Sequence, residues 1–272
     1  MKAILLIVFF MSLFFTSCEE VVDVDLNAAA PKLVIEAAIN WKKGTSGAQQ
    51  TIKLTTTANY FEDEIPIVSG ATVYIRNSAN QQFNFTEVPQ SGRYVCNNFK
   101  PVIEATYTLT VINNSDTYTA TETLKSIVPI TRITQNSIGE PLSNDIIIRA
   151  FYNDPATVNN YYLYKYVYSN KVKSNYYVDE DKFFQGNEFF SVSDGEDLKT
   201  GDEVEVTHYG ISKQYYNYMS ILISIAGSNI GGPFQSPPAT VKGNIINTTD
   251  KNNYPLGYFS LSEIVSKKYT IK

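Results

Sequence analysis

The chain has 272 residues and a formal net charge of −5, with 20 Tyr and 15 Phe against one Trp, one His and two Cys. An acidic balance without a Lys/Arg cluster argues against nucleic acid as a partner, because such binding rests on neutralised phosphates. Two thiols rule out a disulfide framework, and the surplus of Tyr and Phe favours pleated, half-buried surfaces, so a mainly β chain is expected.

Residues 1–17 read as a lipoprotein signal peptide. Lys2 supplies the positive charge, residues 3–15 the apolar run, and Phe15-Thr16-Ser17-Cys18 small residues before a thiol. The run is too short for a bilayer core that requires about 20 residues. Cys18 is the expected lipidation site, and its covalent lipid is the only non-protein group expected, with no cofactor. Two or more acyl chains turn reversible binding into stable membrane anchoring, at about 0.8 kcal/mol per buried methylene. Glu19, Glu20, Asp23 and Asp25 make residues 18–31 an acidic tether, which a solvated linker explains without further function. Removal of the leader leaves about 255 residues, enough for two ordinary domains.

Residues 32–126 show short alternating runs separated by turn residues, the pattern of an immunoglobulin-like or fibronectin-like β-sandwich. Leu33, Ile35, Ala37 and Ile39 share one face. Ile52 with Leu54, Val73 with Ile75, Phe83 with Phe85, Tyr94 with Cys96, then Tyr107, Leu109 and Val111, and Tyr118 with Ala120 continue the alternation. Trp41 falls where the first strand meets a turn, placing its indole either on a loop able to stack on a sugar or over the sandwich end. The Cys-Trp-Cys spacing of true immunoglobulin domains is missing, and Cys96 reads as a buried structural thiol.

Pro129 interrupts a strand pattern and marks the joint to a second β-rich domain, 127–272. Strands are expected at 145–152, 160–168, 202–209, 240–246, 256–261 and 268–271. Ser212 is the expected N-cap of one helix over 212–226, where Tyr215, Tyr218, Met219, Leu222 and Ile225 recur at helical spacing before Gly227. The Gly/Pro-rich stretch 227–238 reads as a surface loop, with Phe234 at its apolar tip as a candidate partner contact.

Chemistry-bearing residues are few. His208 lies on an alternating strand face with Val204 and Val206, so a structural role outweighs catalysis. The carboxylate groups at 62–64, 179–181 and 194–202 lack the order of a calcium loop, and no metal site is expected. More suggestive is a tyrosine ladder. Tyr162, Tyr164, Tyr166 and Tyr168 share one strand face, opposite Tyr161, Leu163, Lys165 and Val167. Either the four phenols project outward to bind peptide or glycan, or they pack inward with their hydroxyls at the rim.

Several segments in this order resemble the Bacteroidota outer-membrane lipoproteins of the domain-of-unknown-function 4249 family. They are Gly70-Ala71 before Val73 and Ile75, Gly92 with Tyr94, Val128-Pro129-Ile130, Asp154-Pro155 followed by Asn160-Tyr161-Tyr162, Ser212 to Tyr218, Pro237-Pro238 with Val241-Gly243-Asn244-Ile245, and Pro255-Leu256-Gly257-Tyr258-Phe259. Ala105 departs from the pattern where a glycine-marked turn is expected. The resemblance implies that Glu19, Glu20, Asp23 and Asp25 act as an export signal to the cell surface. It supplies no catalytic residues. Members are typically encoded beside TonB-dependent receptors, so it implies a non-enzymatic accessory or substrate-capture subunit of a TonB-dependent transporter in nutrient uptake, lipid-anchored in the outer membrane and facing the exterior. A stand-alone glycan- or peptide-binding adhesin and a surface hydrolase are the competing readings.

Overall fold

The structure is a computed structural model that describes residues 30–59, 64–137, 146–195, 197–227 and 241–272. Pro31–Lys272 form one compact unit. Seven strands open it, β1 (Leu33–Lys42), β2 (Gln50–Thr56), β3 (Thr72–Asn77), β4 (Gln82–Val88), β5 (Arg93–Cys96), β6 (Thr106–Asn113) and β7 (Asp116–Thr123). Their alternation settles which side chains are inside. Ile35, Ala37, Ile39, Ile52, Leu54, Tyr94 and Cys96 from β1, β2 and β5 meet Val73, Ile75, Phe83, Tyr107, Leu109 and Val111 from β3, β4 and β6 in one buried core. β4 pairs with both β3 and β5, so a continuous sheet folds over that core as a sandwich.

The second half contains β8 (Arg132–Ser137), β9 (Ile146–Asn153), β10 (Tyr161–Tyr168), β11 (Asn175–Glu180), β12 (Glu188–Gly195), β13 (Glu203–Ile211), helix α1 (Lys213–Gly227), β14 (Ile246–Asn247) and β15 (Leu256–Thr270). A three-stranded sheet in the order β12-β9-β8 faces the β11-β10-β13-β15 end of a twelve-stranded sheet, and a second core lies between them. The chain is therefore mainly β. Strands β8, β11 and β12 were not expected from the sequence, and the expected 240–246 strand is reduced to the two residues of β14.

The helix was expected, and its start is built as its capping residue suggests. Tyr215 N–H donates to Ser212 Oγ at 3.1 Å, and the Ser212 hydroxyl donates to Glu122 Oε2 at 2.9 Å. Glu122 is buried at the end of β7, and burial raises its pKa. One hydroxyl thus caps α1 and fastens it to the first sandwich. Met219 packs on Leu163 and Ile211, so the helix covers the outer face of β10 and β13.

β15 joins the two cores. Residues Leu256–Ile264 run parallel to β1, and Ile264–Thr270 pair antiparallel with β13. The sequence suggested two strands, 256–261 and 268–271, with the polar residues Ser262, Glu263, Ser266 and Lys267 between them. The break disappears because Glu263 is buried with partners. Its carboxylate accepts from Lys43 Nζ at 3.0 and 3.1 Å and from Ile127 N–H at 2.9 Å. Three segments distant in sequence, including the joint at 127–130, meet on this side chain. Glu263→Ala is expected to lower stability by about 2–3 kcal/mol, because it strands a buried amide and an ammonium group together. Urea unfolding of the full chain measures this; an unchanged midpoint would show that strand pairing alone holds the seam.

Candidate functional site

The tyrosine ladder lies inside. Tyr162, Tyr164, Tyr166 and Tyr168 are all buried, facing the β12-β9-β8 sheet, so they are not surface contacts for peptide or glycan. Each hydroxyl has a partner. Tyr162 donates to Asp154, Tyr164 and Tyr152 share a 2.6 Å hydrogen bond, Tyr166 bonds Ser191 Oγ at 2.6 Å, and Tyr168 bonds Ser193 Oγ. The inward-packing alternative also needs correcting, since the hydroxyls reach across to the facing sheet rather than to a wet rim. Their partners Ser191 and Ser193 stand on β12, which the sequence reading did not contain. Burial pushes the phenols of Tyr162, Tyr164 and Tyr166 above their usual value. Of the neighbouring tyrosines, Tyr177 joins this interior through Ser193 at 2.9 Å, whereas Tyr176 remains exposed.

His208 sits in the same interior with no exposed surface. Its Nε2 is 2.9 Å from Ser191 Oγ, and its ring meets Tyr152 and Tyr164 edge-on at 5.4 and 4.7 Å. Nδ1 has no hydrogen-bond partner. Protonating both ring nitrogens would leave a buried charge with one N–H unpaired, and burial pushes the imidazole pKa down to about 3. The sealed imidazole cannot meet an external substrate. Cys96 is also buried, with its thiol pushed upward by burial and its Sγ 3.1 Å from Asn98 Oδ1.

Trp41 lies at the end of β1 rather than on a free loop. The half-buried indole packs against the first core, and its Nε1–H donates to the Thr45 carbonyl at 2.8 Å, closing the turn after the strand. Gly47 has φ +63°, and a Cβ there would come within 2.5 Å of the Trp41 ring. The indole therefore covers the sandwich end and is not displayed for sugar stacking. Cys18, Glu19, Glu20, Asp23, Asp25 and Phe234 lie outside the described residues.

Open concave surface lies over β4 and β5, in a polar cleft of about 720 Å³ lined by Asn84, Glu87 and Arg93, and in two clefts that adjoin along residues 241–245, one of them beside α1. The first of the adjoining pair, about 420 Å³, lies between Asn217, Tyr218 and Ile221 of the helix and Lys242 and Tyr258. Tyr258 stacks obliquely on Tyr218 at 4.6 Å and on Tyr215 at 4.8 Å, forming an aromatic wall. The second, about 430 Å³, is lined by Lys242, Ile245, Lys251, Tyr254 and Pro255. The strip between them is fixed by close backbone approach. A Cβ on Gly243 would lie 1.7 Å from the Gly257 carbonyl oxygen, and Asn244 both donates to and accepts from the backbone of Phe259, at 2.8 and 2.9 Å.

Comparison with protein families matches residues 19–268 to the domain of unknown function DUF4249. The chain belongs to this family. A search of curated proteins gives no match. Among solved structures, a two-domain fibronectin type-III segment of chicken tenascin is 12% identical, with 66% of this chain and 90% of that chain covered and a TM-score of 0.22. The chicken CNTN1 FN1–FN3 domains are 14% identical, with 66% and 63% covered and a TM-score of 0.27. In this DUF4249 protein the residues that line the two adjoining clefts, Tyr218, Lys242, Lys251, Tyr254 and Tyr258, were not singled out from sequence. Only Tyr218 and Tyr258 carried a signal, as members of the helical spacing and of the segment 255–259.

Proposed function

We propose that this protein is a lipid-anchored outer-membrane recognition subunit, tethered through Cys18, that works beside a TonB-dependent receptor to capture or admit a nutrient. The observation that carries the recognition part is the separation of reactive groups from accessible surface. The imidazole and the tyrosine network are sealed within the second core, while the concave surface beside α1 offers phenols, amides, ammonium groups and apolar side chains. Aromatic walls with a few fixed polar groups are the composition of binding sites. The membrane part rests on the sequence around Cys18, and the receptor part on the family resemblance.

Affinity purification of the tagged, lipidated full chain from detergent-solubilised outer membranes tests the role. A β-barrel receptor should be recovered in constant stoichiometry. Substituting Ile221→Asp, on the exposed rim of the helix cleft, should reduce recovery about tenfold, the equivalent of one lost apolar contact plus a buried charge. Recovery of no barrel, or of the same amount with the variant at unchanged melting temperature, would overturn the receptor contact at this face. Binding of a glycan or peptide with no receptor present would favour the adhesin reading.

A further inference from the structure

We propose that the cleft built on Tyr254 is an anion-binding site, which takes a small ligand carrying a phosphate or carboxylate group. Two ammonium groups converge on one ring. Lys32 Nζ lies 3.3 Å and Lys242 Nζ 4.1 Å from the Tyr254 centroid, and Lys251 lines the same cleft. Among the described residues no Asp or Glu forms an ion pair with any of the three, in a chain whose net charge is negative. Cation–π contact with an electron-rich ring holds the ammonium groups in place without neutralising them, so the charge stays available to a ligand. Clustered like charges repel one another unless an anion joins them, and the Tyr254 hydroxyl already responds. The nearby Lys32 ammonium, with Lys242 behind it, lowers its pKa.

The scaffold under these cations is rigid. Asn247 is buried; its Oδ1 accepts from Thr249 and Asp250 N–H at 2.9 and 3.0 Å, and its Nδ2 donates to the Asn253 carbonyl at 3.0 Å. The turn that presents Lys251 is thereby fixed from within. Lys242 stands on the strip clamped by Gly243 and Asn244 against β15. Asp250 of the Lys251 turn and Asp116 of β7 each accept hydrogen bonds from that turn. Asp250 Oδ1 accepts from Asn252 N–H at 2.9 Å, and Asp116 Oδ2 accepts from Asn253 Nδ2 at 2.9 Å and from Tyr118 O–H at 3.1 Å. Ile245 and Pro255, both buried, supply an apolar wall for the body of the ligand. At about 430 Å³ the cleft has the size of a small-molecule site.

Binding here stands or falls independently of any receptor. The test is titration calorimetry of the full chain in non-ionic detergent with inorganic phosphate, acetate and glycerol phosphate, glycerol serving as the uncharged control. At least one anion should bind where glycerol does not. The Lys242→Ala/Lys251→Ala variant should weaken that binding about tenfold or more, and the Lys242→Arg/Lys251→Arg variant should retain it. Lys173→Ala, at an exposed lysine of the β10–β11 connection, should have no effect. Flotation with phosphatidylglycerol against phosphatidylcholine vesicles separates the sources. Lysine-dependent capture by the anionic vesicles alone, without binding of the soluble probes, identifies the anion as a lipid headgroup. Failure of every anion to bind, or equal affinity in the double alanine variant, overturns the site. Because both lysines are exposed, loss of fold in the variants is not expected, and their melting temperatures check this.

Discussion

Lowering the pH from 7 to 4 is expected to remove about 3 kcal/mol of stability through His208 alone, at about 1.36 kcal/mol per pH unit below the unfolded-state value. The folded imidazole titrates at about 3, because burial disfavours its charged form and Nδ1 has no acceptor, whereas in the unfolded chain it titrates near 6.5. Its contribution is thus complete above pH 6.5 and declines as the pH falls toward 3. Asp179 works in the opposite direction. Burial pushes its pKa up to about 6, so its ionisation opposes folding as the pH rises from about 4 through 6. Since Asp179 is only partly buried, its effect is discounted to about 1–2 kcal/mol. The two together leave stability rising from acid pH to a plateau above about 6.5, with the rise flattened between about 4 and 6. Urea unfolding at pH 7, 5.5 and 4 measures the balance. His208→Gln should lose most of the acid slope and Asp179→Asn should gain stability at pH 7. A His208→Gln variant as acid-sensitive as the parent would sink this account.

Tyr164→Ala is expected to lower stability by about 4 kcal/mol, within the range for deleting a large buried aromatic, while Tyr164→Phe loses only about 1–2 kcal/mol by leaving the Tyr152 hydroxyl unpaired. The ring has no exposed surface, contacts His208 at 4.7 Å and shares its hydroxyl hydrogen bond with Tyr152. A displayed ladder would respond differently, since exposed substitutions stay within about 0.5 kcal/mol. The pair of variants therefore separates a polar core from a binding surface by equilibrium unfolding. Small losses in both would return the ladder to the exterior.

How far the sequence could be read depended on whether one strand face was apolar. In β1 to β7 the inward positions are mostly Ile, Val, Leu, Phe, Ala, Cys or Tyr, with Gln50 and Glu122 as buried polar exceptions, and alternation identified every apolar one named for the first core. The helix was legible because Ser212 precedes an apolar period of the right spacing. In the second half the inward face is itself polar. Ser191 and Ser193 on β12 and Tyr177 and Asp179 on β11 carry no inward signal, because a single strand does not show the hydroxyls that will meet them. β15 was divided for the same reason, as nothing near Glu263 in sequence announces Lys43 or the Ile127 amide.

The candidate clefts were less legible still. Lys32 comes from a stretch distant from Lys242, Lys251 and Tyr254, and none of these lysines stands in a charge cluster of its own. Side-chain alternation and capping act between neighbours in sequence, so the linear chain sufficed for the mainly β class, the sandwich core and the helix start. Desolvation and charge convergence are properties of space rather than of order along the chain. Only folding could reveal that four phenols and an imidazole are sealed from water while two ammonium groups meet on one ring beside a third lysine.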